Sequence, residues 1–227
     1  VIACDASPKR VEKFSDSLRD KAIVHQEDLD TRIGVKNAIA AALEAYGKVD
    51  HIVAVPPIPP RTPFVELDLG EFEKMHSKAL RSSILTLQMF ERHVAKRVDE
   101  AGETVGRQKQ LGSVTFVLSL AAQQVNEGDF ADAVVQHSIL GAMRAAAVDL
   151  APMGIRVNAI CALRPRAESE EPWLKKRTPF GRASLADEIA EAALYLSLAK
   201  SAIITGETLV MDGGRGRLSG IIDDFDD

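Results

Sequence analysis

Little in this chain points to covalent cross-links or metal chemistry. Cysteine occurs twice, as Cys4 and Cys161, far apart in sequence and each inside a β-like run where a small hydrophobe fits. That leaves no disulfide framework and no ligand spacing, and the five histidines are equally scattered. Tyrosine is as scarce, with only Tyr46 and Tyr195, both in helical stretches. No apolar run approaches the roughly 20 residues that span a bilayer, and the first residues lack a basic segment followed by a long apolar core. A cytoplasmic protein with no membrane contact is the expectation. Positive charge is short as well: 28 Lys and Arg against 33 Asp and Glu give a net charge of −5, whereas phosphate neutralisation needs clustered cations. No nucleic-acid partner is expected, and Lys175-Lys176-Arg177 reads as a solvated loop.

What is present suits one domain spanning 1–227, since 227 residues with 46% apolar content can bury a sizeable core and no linker divides them. Short β-branched runs begin at Val1, Ala22, His51, Ser113, Ile155 and Thr208, and helical patterns cover about 8–18, 31–46, 70–97, 133–151 and 185–199. Strict alternation of this kind predicts an α/β fold, a Rossmann-like doubly wound parallel sheet with helices on both faces. Ala101 to Gly112 is the one long polar loop, and 218–227 reads as an acidic tail.

The last quarter carries a specific pattern. Thr178-Pro-Phe-Gly-Arg182, Asp187-Glu188-Ile189-Ala190, Ile204-Thr205-Gly206-Glu207 and Met211-Asp212-Gly213-Gly214 follow one another, preceded by Leu150-Ala151-Pro152 and Gly154-Ile155-Arg156-Val157-Asn158-Ala159. In order and spacing this resembles the short-chain dehydrogenase/reductase family along essentially the whole chain.

The resemblance fixes where the family's catalytic groups would fall. Its Tyr-x-x-x-Lys pair aligns with Asp132-Ala133-Val134-Val135-Gln136, its catalytic Ser with Ser119, and the Asn of its long central helix with Ala79. One of four is kept, so Ser119 is vestigial. In the family the phenol moves the proton while the ammonium lowers its pKa from about 10 and holds the nicotinamide ribose. A carboxylate at 132 is ionised at neutral pH unless burial raises its pKa, and Gln136 has no charge with which to tune a neighbour.

Cofactor features are altered too. The family's Asn-Asn-Ala-Gly turn reads Ala54-Val55-Pro56-Pro57, and its later Pro-Gly turn reads Ala162-Leu163, which crowds the nicotinamide pocket. Asp5 matches the acidic residue that bonds the adenosine ribose in NAD-preferring members, and Asp28-Leu29 matches the pair near adenine. An Asp ending a strand also caps the following turn without any ligand, and Ser119 has an equally plain reading as a polar strand end. The pattern starts at the family's second strand, with no counterpart of the first strand, Gly-rich turn and first helix. A central sheet position is therefore expected to be filled by residues outside this sequence or by a substitute element, since unpaired buried backbone groups cost roughly 1–3 kcal/mol each. NAD binding is possible, but no tightly bound cofactor is expected.

Three functions stay open. The first is a noncatalytic subunit that supports an active short-chain dehydrogenase in a hetero-oligomer, as in the degenerate subunit of hydroxybenzylsuccinyl-CoA dehydrogenase that this pattern resembles. The family associates, with itself or a partner, through helices corresponding to 71–97 and 131–151, and Ala145-Ala146-Ala147 would permit close approach or simply face a core. The second is an oxidoreductase with rewired chemistry using Asp132, Ser119 and His137, although His137 points about 100° from position 136 on a helix. The third is a ligand- or nucleotide-sensing module.

Overall fold

The computed structural model describes residues 1–18, 21–102, 110–163 and 171–220, with the side chains of 171–173 outside that description. Most of the polar loop and of the acidic tail falls outside it. Six strands, β1 (Ile2–Asp5), β2 (Ile23–Gln26), β3 (His51–Ala54), β4 (Gly112–Ser119), β5 (Ile155–Ala162) and β6 (Thr208–Met211), alternate with α1 (Pro8–Leu18), α2 (Arg32–Tyr46), α3 (Leu69–Glu100), α4 (Phe130–Leu150), α5 (Glu171–Arg177) and α6 (Ala186–Ser197). Helix limits follow local chemistry. Thr31 caps α2 by accepting from the Gly34 amide at 2.9 Å, and Gly47, at φ 74°, ends it in the left-handed conformation that a glycine adopts without strain. Asp68 caps α3 by accepting from the Glu71 amide at 2.8 Å.

Every ladder is parallel, as the alternation predicts. All eight residues of β4 and all eight of β5 are buried because helices cover both faces. The pleat sends Val114, Phe116, Leu118, Val157 and Ala159 into a core with Phe90 and Val94 of α3 and Ile139 and Met143 of α4. Val117 and Ile160 point the other way, onto Ala193 and Leu196 of α6. Each such side chain contributes roughly 1.5–3 kcal/mol on burial. Gly112 is required at the head of β4, where a Cβ would stand 2.6 Å from the Phe90 ring.

The sheet is in two parts, and among the described residues no substitute element fills the central position that the sequence pattern left open. Its order is β1-β2 in one ladder and β3-β4-β5-β6 in another, and no described strand joins them. The first βαβ unit adheres through α2 packed on α3 and through Lys78 Nζ, 2.6 Å from Asp30 Oδ2. The reading of 175–177 as a loop is corrected: these cations form the last turn of α5, where a helix's C-terminal dipole favours them. α4 starts at Phe130 instead of 133, which places Asp132 in its first turn. No described helix is long and apolar enough to cross a membrane.

Candidate functional site

At the carboxyl end of β4 and β5, where open α/β sheets bind ligands, the chain brings three of the four aligned catalytic positions together. Ser119 ends β4 and Asp132 and Gln136 lie one turn apart on α4, so all three converge. The Ser119 hydroxyl donates to Asp132 Oδ2 at 2.9 Å and accepts from the Ala121 amide at 3.3 Å, while the Ser119 amide makes a long contact of 3.4 Å to Gln136 Oε1. Ser119 is 7% exposed, Asp132 1% and Gln136 0%, so the group is shut off from solvent. The hydroxyl also caps the short 3-10 turn Leu120–Ala122. Asp132 lies in the first turn of α4, the helix end whose positive partial charge favours acidic side chains. Gln136 Nε2 has no hydrogen-bond partner among the described residues. Ala79 is buried in the core cluster of α3 and offers no polar group.

Neither tyrosine replaces the missing phenol. Tyr46 ends α2 with half its surface exposed, and Tyr195 is 43% exposed on α6. His137 is exposed, and its Nδ1 lies 2.8 Å from the Ala133 carbonyl of its own helix, so it does not face Ser119 as a base.

The positions aligned with cofactor contacts are engaged elsewhere. Asp5 Oδ1 accepts from the Ser7 amide at 2.7 Å and Oδ2 from Arg10 Nε at 2.8 Å, and the Arg10 hydrogen bond is the main cause that holds its carboxyl below the usual range. Asp28 Oδ1 accepts from the Asp30 amide at 3.1 Å in the turn after β2, and Leu29 is half-buried in that turn. Leu163, directly after β5, buries its side chain with Leu120, Leu174 of α5 and Ala183. Its backbone is fixed from both sides, by Leu163 N to Met211 O at 2.9 Å and Ser184 N to Leu163 O at 2.8 Å. Beneath, burial pushes the Cys161 thiol up to about 11, opposed by a hydrogen bond with Gln123 and by the charge of Arg144, so it is an inert core group. No three described His, Cys, Asp or Glu residues converge as metal ligands. Gly213 and Gly214, at φ 62° and 87°, turn the chain beneath Thr178 and Pro179, and a Cβ on Gly213 would stand 2.7 Å from Thr178 Cγ2.

Sequence reasoning missed a polar network above this group. Arg61 Nε donates to Asp129 Oδ1 at 2.7 Å, Asn126 Nδ2 donates to Asp129 Oδ2 at 2.7 Å, and Arg215 donates to Asn126 Oδ1 at 2.7 Å and to Gln124 Oε1 at 3.2 Å. Asp129 and Arg215 are buried, at 3% and 8% exposure, and burial is the main cause that lowers the Arg215 pKa. The partners are 68 and 89 residues apart in sequence, so no local pattern announces them.

Residues 1–215 match the family model described as enoyl-(acyl carrier protein) reductase. Among similar proteins, the short-chain dehydrogenase srdC of Neurospora crassa is 29% identical over 82% of this chain and 74% of its own length. Short-chain dehydrogenase reductase 3a of Arabidopsis thaliana is 27% identical over 86% of this chain and 77% of its own. Among solved structures, 3-ketoacyl-(acyl-carrier-protein) reductase from Brucella melitensis, complexed with NADH, superposes with a TM-score of 0.80 at 24% identity, covering 95% of this chain and 87% of that one. Gluconate 5-dehydrogenase from Burkholderia cenocepacia, in complex with NADP and tartrate, gives 0.79 at 21% identity over 96% and 85%.

Proposed function

The chain belongs to the short-chain dehydrogenase/reductase family, and on that premise we propose that it is a noncatalytic subunit of it, supporting an active NAD(P)-dependent short-chain dehydrogenase in a cytoplasmic hetero-oligomer. The observation that carries this reading is the closed pair at its centre: the Ser119 hydroxyl is committed to Asp132, both are buried, and position 136 is an uncharged Gln. Proton transfer in this family needs a donor that reaches the substrate oxygen. Here the one retained hydroxyl faces inward, and among the described residues no phenol or ammonium stands beside it to relay a proton.

The dinucleotides bound by the Brucella and Burkholderia neighbours fit poorly among the residues present. Asp5 is held by Ser7 and Arg10, and the Leu163 side chain, directly after β5, packs against Leu120 and Leu174. No tight NAD(H) or NADP(H) binding is expected, and calorimetry giving a micromolar Kd would favour the sensing reading instead.

Helices α3 and α4 supply the surface for assembly. Between them runs a groove of about 530 Å³ lined by Ile84, Leu87 and Glu91 on one side and Ala142, Ala146 and Asp149 on the other. Of the three alanines, Ala147 faces this chain's own core at 2% exposure, while Ala145 is open to a neighbour. The deciding experiment is purification of the native protein without a tag on any second subunit, followed by assay of the complex and of the separated chain. Turnover that stays with the complex and survives Ser119→Ala in this chain supports the reading. A dehydrogenase rate from the isolated chain that Ser119→Ala or Asp132→Asn abolishes would refute it and establish the rewired-enzyme alternative.

A further inference from the structure

We propose that Arg61 and Arg215 form a two-sided clasp on the segment 123–130 that controls solvent access to the Ser119–Asp132 group. The segment links the 3-10 turn after β4 to α4, and little of it is anchored by packing. Val125 is 62% exposed, and only Phe130, 39% exposed with its ring against Phe64 and Phe72, offers the segment apolar packing. Its backbone contributes a few turn bonds, from Gln123 and Gln124 to Leu120 and from Asp129 to Asn126. A stretch with so few buried apolar contacts is the kind that opens locally while the rest of a domain stays folded. It is held down by side chains arriving from elsewhere.

One arm comes from the strap after β3. Pro56, Pro57, Pro59, Pro60 and Pro63 restrict its backbone, so it presents Arg61 with little entropy left to lose. Arg61 pairs with Asp129 at 2.7 Å, Thr62 N donates to Gly128 O at 3.2 Å, and the Phe64 ring meets Phe130 edge-on at 4.9 Å. The other arm comes from the turn after β6. Asp212 shapes it by accepting from the Gly214 amide at 2.9 Å and the Gly216 amide at 2.7 Å, which aims Arg215 at Gln124 and Asn126. Asn126 joins the arms, because its carbonyl takes Arg215 and its amide donates to Asp129. Further contacts of Arg61, Asp129 and Arg215 add to these.

Ser119 and Asp132, hydrogen-bonded at 2.9 Å, flank the clasped segment on either side in the chain and close its base, and the Cys161 thiol bonds Gln123 within it. Release of the clasp would therefore open the pair and the thiol to solvent from one side. This inference concerns access alone and stands whether or not the chain has a catalytic partner. Its test reads neither hydride transfer nor assembly, so it can fail without touching the noncatalytic reading, and the reverse.

The experiment is hydrogen–deuterium exchange of the full chain with Arg215→Gln and Arg61→Gln, read at amides 123–133 against β4 and β5, together with maleimide labelling of Cys161 located by peptide mass. Arg215→Gln should speed exchange in 123–133 by roughly tenfold, since a buried charged donor is lost. Arg61→Gln should do so by about threefold, since the Arg61 side chain is 42% exposed and buried Asp129 keeps Asn126. Cys161 labelling should rise in the same order while β4 and β5 keep their protection, and Arg61→Lys should restore most of the wild-type rate. Wild-type exchange at 123–133 in both variants would overturn the clasp. If Arg215→Gln loosens β4 and β5 as well, Arg61→Gln decides alone, because its side chain is 42% exposed and unnecessary to the core.

Discussion

β1 and β5 are both short-range products of the same βα alternation, and they have opposite fates. β5 buries all eight residues between two layers of helices, whereas none of the four residues of β1 is fully buried and its covering helix α1 contributes no buried residue at all. The difference lies in neighbours. Among the described residues β5 is hydrogen-bonded on both sides, by β4 and β6, while β1 pairs with β2 alone. A parallel strand draws stability from being flanked and covered on every side, so the same βα alternation yields a core in one place and a half-wet layer in the other. The Ser119–Asp132 group belongs to the first kind, at the end of the fully buried β4, while the Asp5 turn belongs to the second.

The contrast can be broken most sharply by native-state hydrogen exchange. Amides of β4 and β5 should exchange only through global unfolding, and those of β1 and β2 through local opening that is faster by orders of magnitude. Equal protection across both ladders would show that the first unit is held by more than α2 on α3. Next in size, Phe90→Ala, at 0% exposure beneath Gly112, should cost about 3–5 kcal/mol in denaturant unfolding, against less than about 1 kcal/mol for Val11→Ala on α1.

Ser119→Ala should cost roughly 1–3 kcal/mol, because a buried carboxylate loses its hydroxyl donor, while leaving the turnover of any assembled complex unchanged. A stability indistinguishable from wild type would mean that Asp132 is satisfied without Ser119. The smallest effect is electrostatic and sharpens the comparison at the surface. Glu188 is pulled down to about 2 from its ordinary 4.5 by hydrogen bonds from Arg182 and from the Leu185 amide. Its folded value is depressed, so its contribution is full above about 4.5 and is lost as pH falls through about 2. The acid limb of an unfolding titration between those values should flatten in Glu188→Gln. The Asp5–Arg10 pair acts in the same direction but on the loosely held unit, so Asp5→Asn should move local exchange of β1 and leave the global midpoint unchanged.

Much of the fold was legible because its cause is local. The β-branched runs placed all six strands within a residue or two, and the β6 run matched residue for residue. The helices over 8–18 and 31–46 also came within a residue, since Thr31 and Gly47 mark the ends of α2 through their own side-chain or φ preferences. α5 was hidden, since seven residues around Lys175-Lys176-Arg177 carry no periodicity long enough to read. Alignment with the family frame brought Ser119, Asp132 and Gln136 to one place on paper, and their spacing at a strand end and one helical turn made that placement hold.

By itself the sequence determined the class of fold, the succession of elements and the presence of Asp and Gln at positions 132 and 136, because composition, period and residue identity are properties of the chain. Tertiary structure alone decided that the surviving Ser119 hydroxyl faces Asp132, that Leu163 closes against Leu120 and Leu174, and that Arg61 and Arg215 meet around Asn126 and Asp129. Those contacts join residues brought together by packing from four separate connections of the sheet, and a hydrogen bond's distance and direction exist only once the elements bearing its two groups are docked.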